Sequence, residues 1–202
     1  MADKFGIHPD TGRWNALHAQ QFMNEHVKRI MDMYKQATPE FLAGGHNWYE
    51  KAHDIAKGIG RGDVEKGAGI LAALSPQTGW GRNIQLAGEM ARTGTTRHTS
   101  ANLEKAQRIL SGEHPLDVLG GQKVTSFFKN IADPSDPNPV TIDRHAHDIP
   151  RGIPFRGVKK SDEPSPDLGL SETGRYNHFV DAYKKAAEQL EVDIPQIGRA
   201  HV

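Results

Sequence analysis

The chain contains no cysteine. That excludes disulfides, iron–sulfur clusters and thiolate zinc sites, and it fits a reducing compartment. Also missing is any apolar run near the ~18 residues of a membrane span, and the opening stretch MADKFGIHPDTGRW lacks a signal-peptide apolar segment. The expectation is a soluble, cytoplasmic protein. No excess of either charge exists: Lys+Arg and Asp+Glu both number 25. A global field drawing polyanions is therefore absent, which counts against a nucleic-acid coat protein but leaves room for a local basic face. Eleven histidines can add charge below neutral pH. There is no internal repeat and no low-complexity tract, and 202 residues suffice for one ordinary core.

Alternating strand patterns are absent too, and helical periodicity dominates, so the expected class is all-α. A first helix is expected from about Arg13 to Tyr34, with Trp14, Leu17, Phe22, Val27, Ile30, Met31 and Tyr34 as apolar contacts. Thr38-Pro39 restarts the chain, Gly44-Gly45 break it, and a further helix follows from about Asn47 to Ile59. Asp63 caps the next, whose stretch Ala68 to Leu74 is read as the most buried of all, stopped by Ser75-Pro76. Helices are then expected from about Arg82 to Arg92, from Ser100 or Asn102 to Leu110, and after His114-Pro115. A last one covers about Thr173 to Leu190, with Tyr176, Phe179, Val180, Tyr183 and Ala187 on one face, and Pro195 begins another.

Three segments carry candidate chemistry. In Leu119-Gly120-Gly121-Gln122-Lys123, a tight glycine turn before a helix points backbone N–H groups outward, a geometry that grips phosphate, and Lys123 adds a charge. The same residues also read as a plain helix end with a solvated lysine. About twenty residues on, Val140-Thr-Ile-Asp143-Arg-His-Ala-His147 places Asp143 in the first turn of a helix starting near Thr141 or Ile142. The helix dipole favours a carboxylate there. Such a group can stabilise a cationic sugar or orient water, or it can simply decorate the helix or pair with Arg144 or Arg151. Asp143 with His147, and His46 with His53, offer a metal set, although no strict metal-binding spacing is present. Third, Leu74-Ser-Pro-Gln77-Thr78-Gly-Trp80-Gly-Arg82-Asn83 presents an amide for base edges and an indole for stacking. Against this, Trp80 can pack into the core, as Trp48 and Tyr49 are expected to.

Taken together these segments resemble the helix-hairpin-helix DNA glycosylase superfamily of the endonuclease III and MutY type. Its LSxQ segment, with Asn some six residues later, is matched by Leu74, Ser75, Gln77 and Asn83. Its hairpin LPGVGxKTA is echoed by Leu119 to Ser126, shorter and without the second glycine. Its VDTHxxR segment is echoed by Ile142-Asp143-Arg144-His145. All three fall in the family's order over about residues 65–150. More narrowly, the runs ALSPQT, GxKVxSFxxNI and VTIDRHA are similar to those of proteins from actinobacterial viruses and their hosts.

The resemblance implies a single domain, 1–202, of two helical lobes around a cleft. Its motif-bearing core spans 65–150 with a hairpin near 115–131. Beyond the reach of the resemblance, residues 150–171 are rich in Pro, Gly and charge and read as an irregular loop or lid, and 172–202 read as a C-terminal helical segment. DNA is the implied partner of a monomer, located in the host cytoplasm if the protein is viral. Gln77, Thr78, Trp80, Arg82, Asn83, Gly120, Gly121, Gln122, Lys123, Thr125 and Arg144 would contact DNA. Asp143 would be the catalytic carboxylate, Lys123 the Schiff-base candidate of a lyase, and His145 a buttress. No cofactor is implied beyond a monovalent cation at the hairpin carbonyls. Two other functions fit parts of the pattern: a DNA-binding module without chemistry, and a metal-dependent hydrolase using Asp143, His147, His46 or His53.

Overall fold

A computed structural model describes residues 14–153, 170–172 and 174–194, apart from the side chains of Phe41 and His46. Among the described residues the regular elements are eleven helices, so the all-α expectation holds. None of these helices is long and apolar enough to cross a membrane. The chain divides into two compact units: a central one, Asn47–Thr141, and a flanking one built from Met1–His46 with Ile142–Val202.

The central unit holds α4 (Trp48–Ile59), α5 (Val64–Ala73), α6 (Trp80–Thr93), α7 (Ser100–Leu110), α8 (Pro115–Val118) and α9 (Gln122–Ala132). Its axis is α5, started by the Asp63 carboxylate accepting the Lys66 amide at 2.9 Å. Every residue from Gly67 to Leu74 is buried, as the small-residue pattern predicts. Glycine is what makes this possible. A methyl group at position 67 would lie 1.9 Å from the Ala56 carbonyl oxygen of α4, and one at position 69 would lie 2.7 Å from Pro115. Backbone-to-backbone approach of α5 on α4 therefore requires the absence of a side chain.

The flanking unit holds α1 (Ala16–Gln20), α2 (Met23–Gln36), α3 (Pro39–His46), α10 (Arg144–Asp148) and α11 (Arg175–Leu190). α2 and α11 pack on each other and α1 rests on α11. Met23, Val27 and Ile30 of α2 are buried, as are Tyr176, Phe179, Ala182 and Tyr183 of α11. These contacts follow the i, i+3, i+4, i+7 spacing of amphipathic helices.

Several local expectations are corrected. The single first helix is two, because Asn15 caps α1 and the chain turns at Gln21-Phe22 with no Gly or Pro to announce it. Leu17, expected among the apolar contacts of that helix, is 83% exposed. Gly44-Gly45 do not break the chain but lie inside α3. The α7 cap is Thr99, without a side-chain bond, so neither Ser100 nor Asn102 serves. The lid expectation falls mainly on residues 154–169, and the helix from Pro195 falls on 195–202; both lie outside the described residues.

Candidate nucleic-acid interface and carboxylate site

In the central unit, the α5–α6 loop is held by a short relay. The Thr99 amide donates to His98 Nδ1 at 2.9 Å, so that nitrogen carries a lone pair and the proton of the neutral ring is on Nε2. Nε2 lies 3.2 Å from Thr78 Oγ1, which donates to the Pro76 carbonyl at 3.1 Å. At the crest of this loop Gln77 is exposed and adopts φ +57, a left-handed conformation that an L side chain rarely takes. Thr78 is thus a brace for the loop, with part of its surface still open.

Trp80 opens α6 behind Gln77. Its ring lies 4.7 Å from Trp48 and 6.3 Å, edge-on, from Phe127 of α9. Trp80 and Trp48 are half-buried, so each is partly core and partly surface. Arg82 is exposed and its guanidinium donates to Gln85 Oε1 at 3.2 Å. Asn83 is corrected outright. It is 1% exposed and donates to the Leu71 carbonyl at 3.0 Å, tying α6 to α5 instead of facing solvent.

Phe127 also leads to the hairpin. α8, started by His114 accepting the Leu116 amide, and α9 are joined by only Leu119, Gly120 and Gly121. Gly121 at φ +80 precedes α9 and, as glycine, has no side chain with which to cap it. Gly120, Gly121, Gln122 and Lys123 are all exposed. Thr125 is partly buried, and its hydroxyl donates back to the Gly121 carbonyl at 3.1 Å. Lys123 sits one helical turn before Phe127 on α9. The Gln77 loop and the hairpin helix are thereby linked through Trp80 and Phe127 within one unit.

In the flanking unit, Asp143 is the cap of α10, one position outside the expected first turn. Its Oδ1 accepts the Ala146 amide at 2.9 Å. Among the described residues no other donor bonds the carboxylate. Two α11 tyrosines seven residues apart serve this segment. The Tyr176 hydroxyl accepts the Ile142 amide at 3.1 Å. The Tyr183 hydroxyl is buried with no hydrogen-bond partner; burial first and the Asp143 charge second push this phenol well above its ordinary range. Sequence periodicity marked both tyrosines only as apolar contacts. Arg144 and His145 are half-buried on α10.

His147, four residues past Asp143, is fully buried. Its Nδ1 lies 3.0 Å from Asp148 Oδ1, Arg151 Nη1 lies 3.1 Å from Nδ1 and 3.3 Å from Nε2, and Arg175 Nη2 lies 3.4 Å from Nε2. Burial and the two guanidinium charges outweigh Asp148 and lower its pKa to about 4. A cation-flanked imidazole is a poor host for a further cation. Among the described residues no group of three or more His, Asp or Glu side chains is arranged to hold a metal ion. Of the remaining members of the metal set, His53 has Nδ1 2.9 Å from the Ile131 carbonyl, and the His46 side chain lies outside the described residues.

A family model, described as a family of unknown function (DUF7178), matches residues 15–198. The chain belongs to DUF7178. That match takes in both units, including the Gln77 loop, the Gly121 hairpin and Asp143, so these features lie inside the DUF7178 region. No curated protein and no solved structure matches the chain.

Proposed function

We propose that this DUF7178 protein acts on DNA as a helix-hairpin-helix glycosylase-like enzyme, carrying out chemistry at the N-glycosidic bond of an extruded base. The observation that carries the reading is Asp143, a carboxylate fixed by the Ala146 amide at the start of α10, beside an unpartnered buried phenol. The exposed Gln77 crest and the side-chain-free start of α9 supply, in the central unit, groups suited to a base edge and a phosphate. Base extrusion costs a few kcal/mol and favours damaged or modified bases. As the C1′–N bond breaks, its electron pair leaves with the base and positive charge develops on the sugar. The Asp143 carboxylate would stabilise that charge and orient the water that adds to C1′, its proton passing to solvent or the departing base. Were Lys123 to add in place of water, a Schiff base would form and strand cleavage would follow. A base-modifying role on viral DNA would use the same groups.

The test incubates wild type and Asp143→Asn with duplexes bearing a panel of lesion and modified bases, and counts abasic sites. Wild type should produce them on at least one substrate, and the variant at least about a hundredfold more slowly. Asn caps a helix as well as Asp does, so the folds should match. Equal background from both proteins throughout would remove the excision reading. Retained DNA binding with a steep salt dependence would then leave a module without chemistry.

A further inference from the structure

Carboxylates are missing from three segments of the central unit that meet one another. Asp and Glu are absent from residues 66–88, 90–103 and 118–132, whose cations include Arg82, Arg97 and Lys123. Thr78 Oγ1 lies 3.2 Å from His98 Nε2, which joins the α5–α6 loop to the loop before α7. Trp80 meets Phe127 of α9 edge-on, which joins the first segment to the third. Arg82, Arg97 and Lys123 are exposed, and none of the three has an ion-pair partner among the described residues. The Arg82 guanidinium donates instead to a neutral amide, that of Gln85.

The same junction leaves ring surface open. Trp80 and Phe127 are both half-buried, and Trp48 lies 4.7 Å from Trp80. Among the described residues the Trp80 indole N–H has no protein partner and, unlike that of Trp14, it is not buried. It is therefore a donor at the solvent edge of the ring. Gln77, at the loop crest three residues earlier, adds an exposed amide that both donates and accepts. Lys123 and Phe127 stand four apart on α9, so charge and ring share one face of that helix.

A duplex suits this combination poorly. Its bases turn only their edges outward, because their faces are covered by stacked neighbours, so an open ring beside cations finds nothing to stack on. An unpaired strand offers base faces and phosphates together. From this juxtaposition we infer that Gln77, Trp80, Arg82, Arg97, Lys123 and Phe127 form a binding face for single-stranded DNA. One base stacks on the Trp80 ring beside Phe127, its edge meets the Gln77 amide, and the flanking phosphates lie on the three cations. The choice of DNA over RNA rests on the proposed function; the preference for an unpaired strand rests on the rings and charges alone. Within that function, the face selects a nucleotide that is already unpaired, for which the cost of extrusion falls away.

Fluorescence anisotropy with labelled strands of about twelve nucleotides tests it. The probes are oligo(dT), an abasic tetrahydrofuran strand of equal length, oligo(U), and a duplex of the same length. Wild type should bind oligo(dT) at least about tenfold more tightly than the duplex or the abasic strand, which has the same charge and no bases. Affinity should fall as roughly the second power of salt concentration, for three phosphate contacts at about 0.7 each. Arg97→Ala should lower that exponent by about 0.7. Trp80→Leu, which keeps apolar bulk and removes the stacking face, should weaken binding about tenfold and leave the exponent unchanged. Lys57→Ala, at an exposed cation in the last turn of α4, should change neither. Far-UV circular dichroism checks folding; if Trp80→Leu does not fold, the abasic strand decides, since it removes stacking without altering the protein. Equal binding of oligo(dT) and the abasic strand, or tighter binding of the duplex, overturns the inference, as does an equal loss in Lys57→Ala and Arg97→Ala. Tighter binding of oligo(U) would move the face to RNA and overturn the assignment to DNA. Binding needs no excision, so a protein that makes no abasic sites can still pass, and one that excises from duplexes without preferring a strand fails here alone.

Discussion

Along α5 of the central unit the buried residues are Gly67, Ala68, Gly69, Ile70, Leu71, Ala72 and Ala73. Across α2, α10 and α11 of the flanking unit they include His26, His147, Arg175 and His178 among the apolar side chains. The first interior is held by close backbone approach and apolar burial, which depend little on pH. The second keeps imidazoles neutral against their own tendency to protonate: His26 Nδ1 lies 2.9 Å from His178 Nε2, and burial, then the neighbouring cationic groups, lower the His26 pKa to about 3. A structural interior gains nothing from such residues that leucine would not supply more cheaply. The contrast separates a unit whose core serves as scaffold from one whose core retains chemical groups.

Acid breaks that comparison most strongly. The folded pKa values of His26 and His147 are depressed, so the unfolded chain binds more protons between pH 6.5 and those values. Stability is fully present above pH 6.5 and falls as pH drops towards 4, by roughly 3 kcal/mol for each group. Trp14 lies in the flanking unit, Trp48 and Trp80 in the central one, so indole NMR signals separate the responses. The Trp14 signal should shift or broaden between pH 6 and 4 before the other two. Simultaneous change in all three would show that the two interiors do not differ as argued.

The converse break is steric. Gly67→Ala drives a methyl group onto the Ala56 carbonyl oxygen and should cost about 3 kcal/mol, read as a fall in thermal midpoint. Gly88→Ala on α6, where a methyl group meets nothing within 4 Å, should instead stabilise by up to about 1 kcal/mol. A destabilisation of similar size at both positions would mean that close backbone approach is not what holds α5.

How far the sequence led depends on the range of the interaction. Asp63 before α5 and His114-Pro115 before α8 act within a few residues, and each was legible. So was the burial of α5, because small residues in series have few other uses. Asn83 was misjudged because its partner is the Leu71 carbonyl of a different helix. The polar tasks of Tyr176 and Tyr183 were invisible for a related reason: a periodic pattern records which side faces inward, not what the hydroxyl meets. Arg175 with Trp14, and His26 with His178, join residues more than 150 positions apart, which local patterning cannot pair.

Smaller effects sharpen the division between fold and site. Asp143→Ala removes the α10 cap and should cost about 1 kcal/mol, whereas Asp143→Asn should cost only a few tenths. If the two substitutions destabilised equally, the carboxylate charge would be structural and its value to chemistry would weaken.

Gln77 supplies the finest test. A left-handed conformation costs a non-glycine residue about 1 kcal/mol, and at φ +57 glycine would adopt it freely. Nothing buries this side chain, so packing does not explain why glutamine stands at the crest. Gln77→Gly should therefore raise the thermal midpoint slightly, by the equivalent of a few tenths to 1 kcal/mol, because relief of strain is partly offset by the freer unfolded chain. The same substitution should weaken binding to a duplex containing an abasic-site analogue about tenfold, since the amide that would fill the vacated stack is gone. Gln77→Asn, which tolerates the left-handed backbone and keeps a shorter amide, should fall between the two. A stabilised Gln77→Gly protein that binds such duplexes as well as wild type would make the loop crest an incidental strain, and the central unit would then contribute scaffold alone.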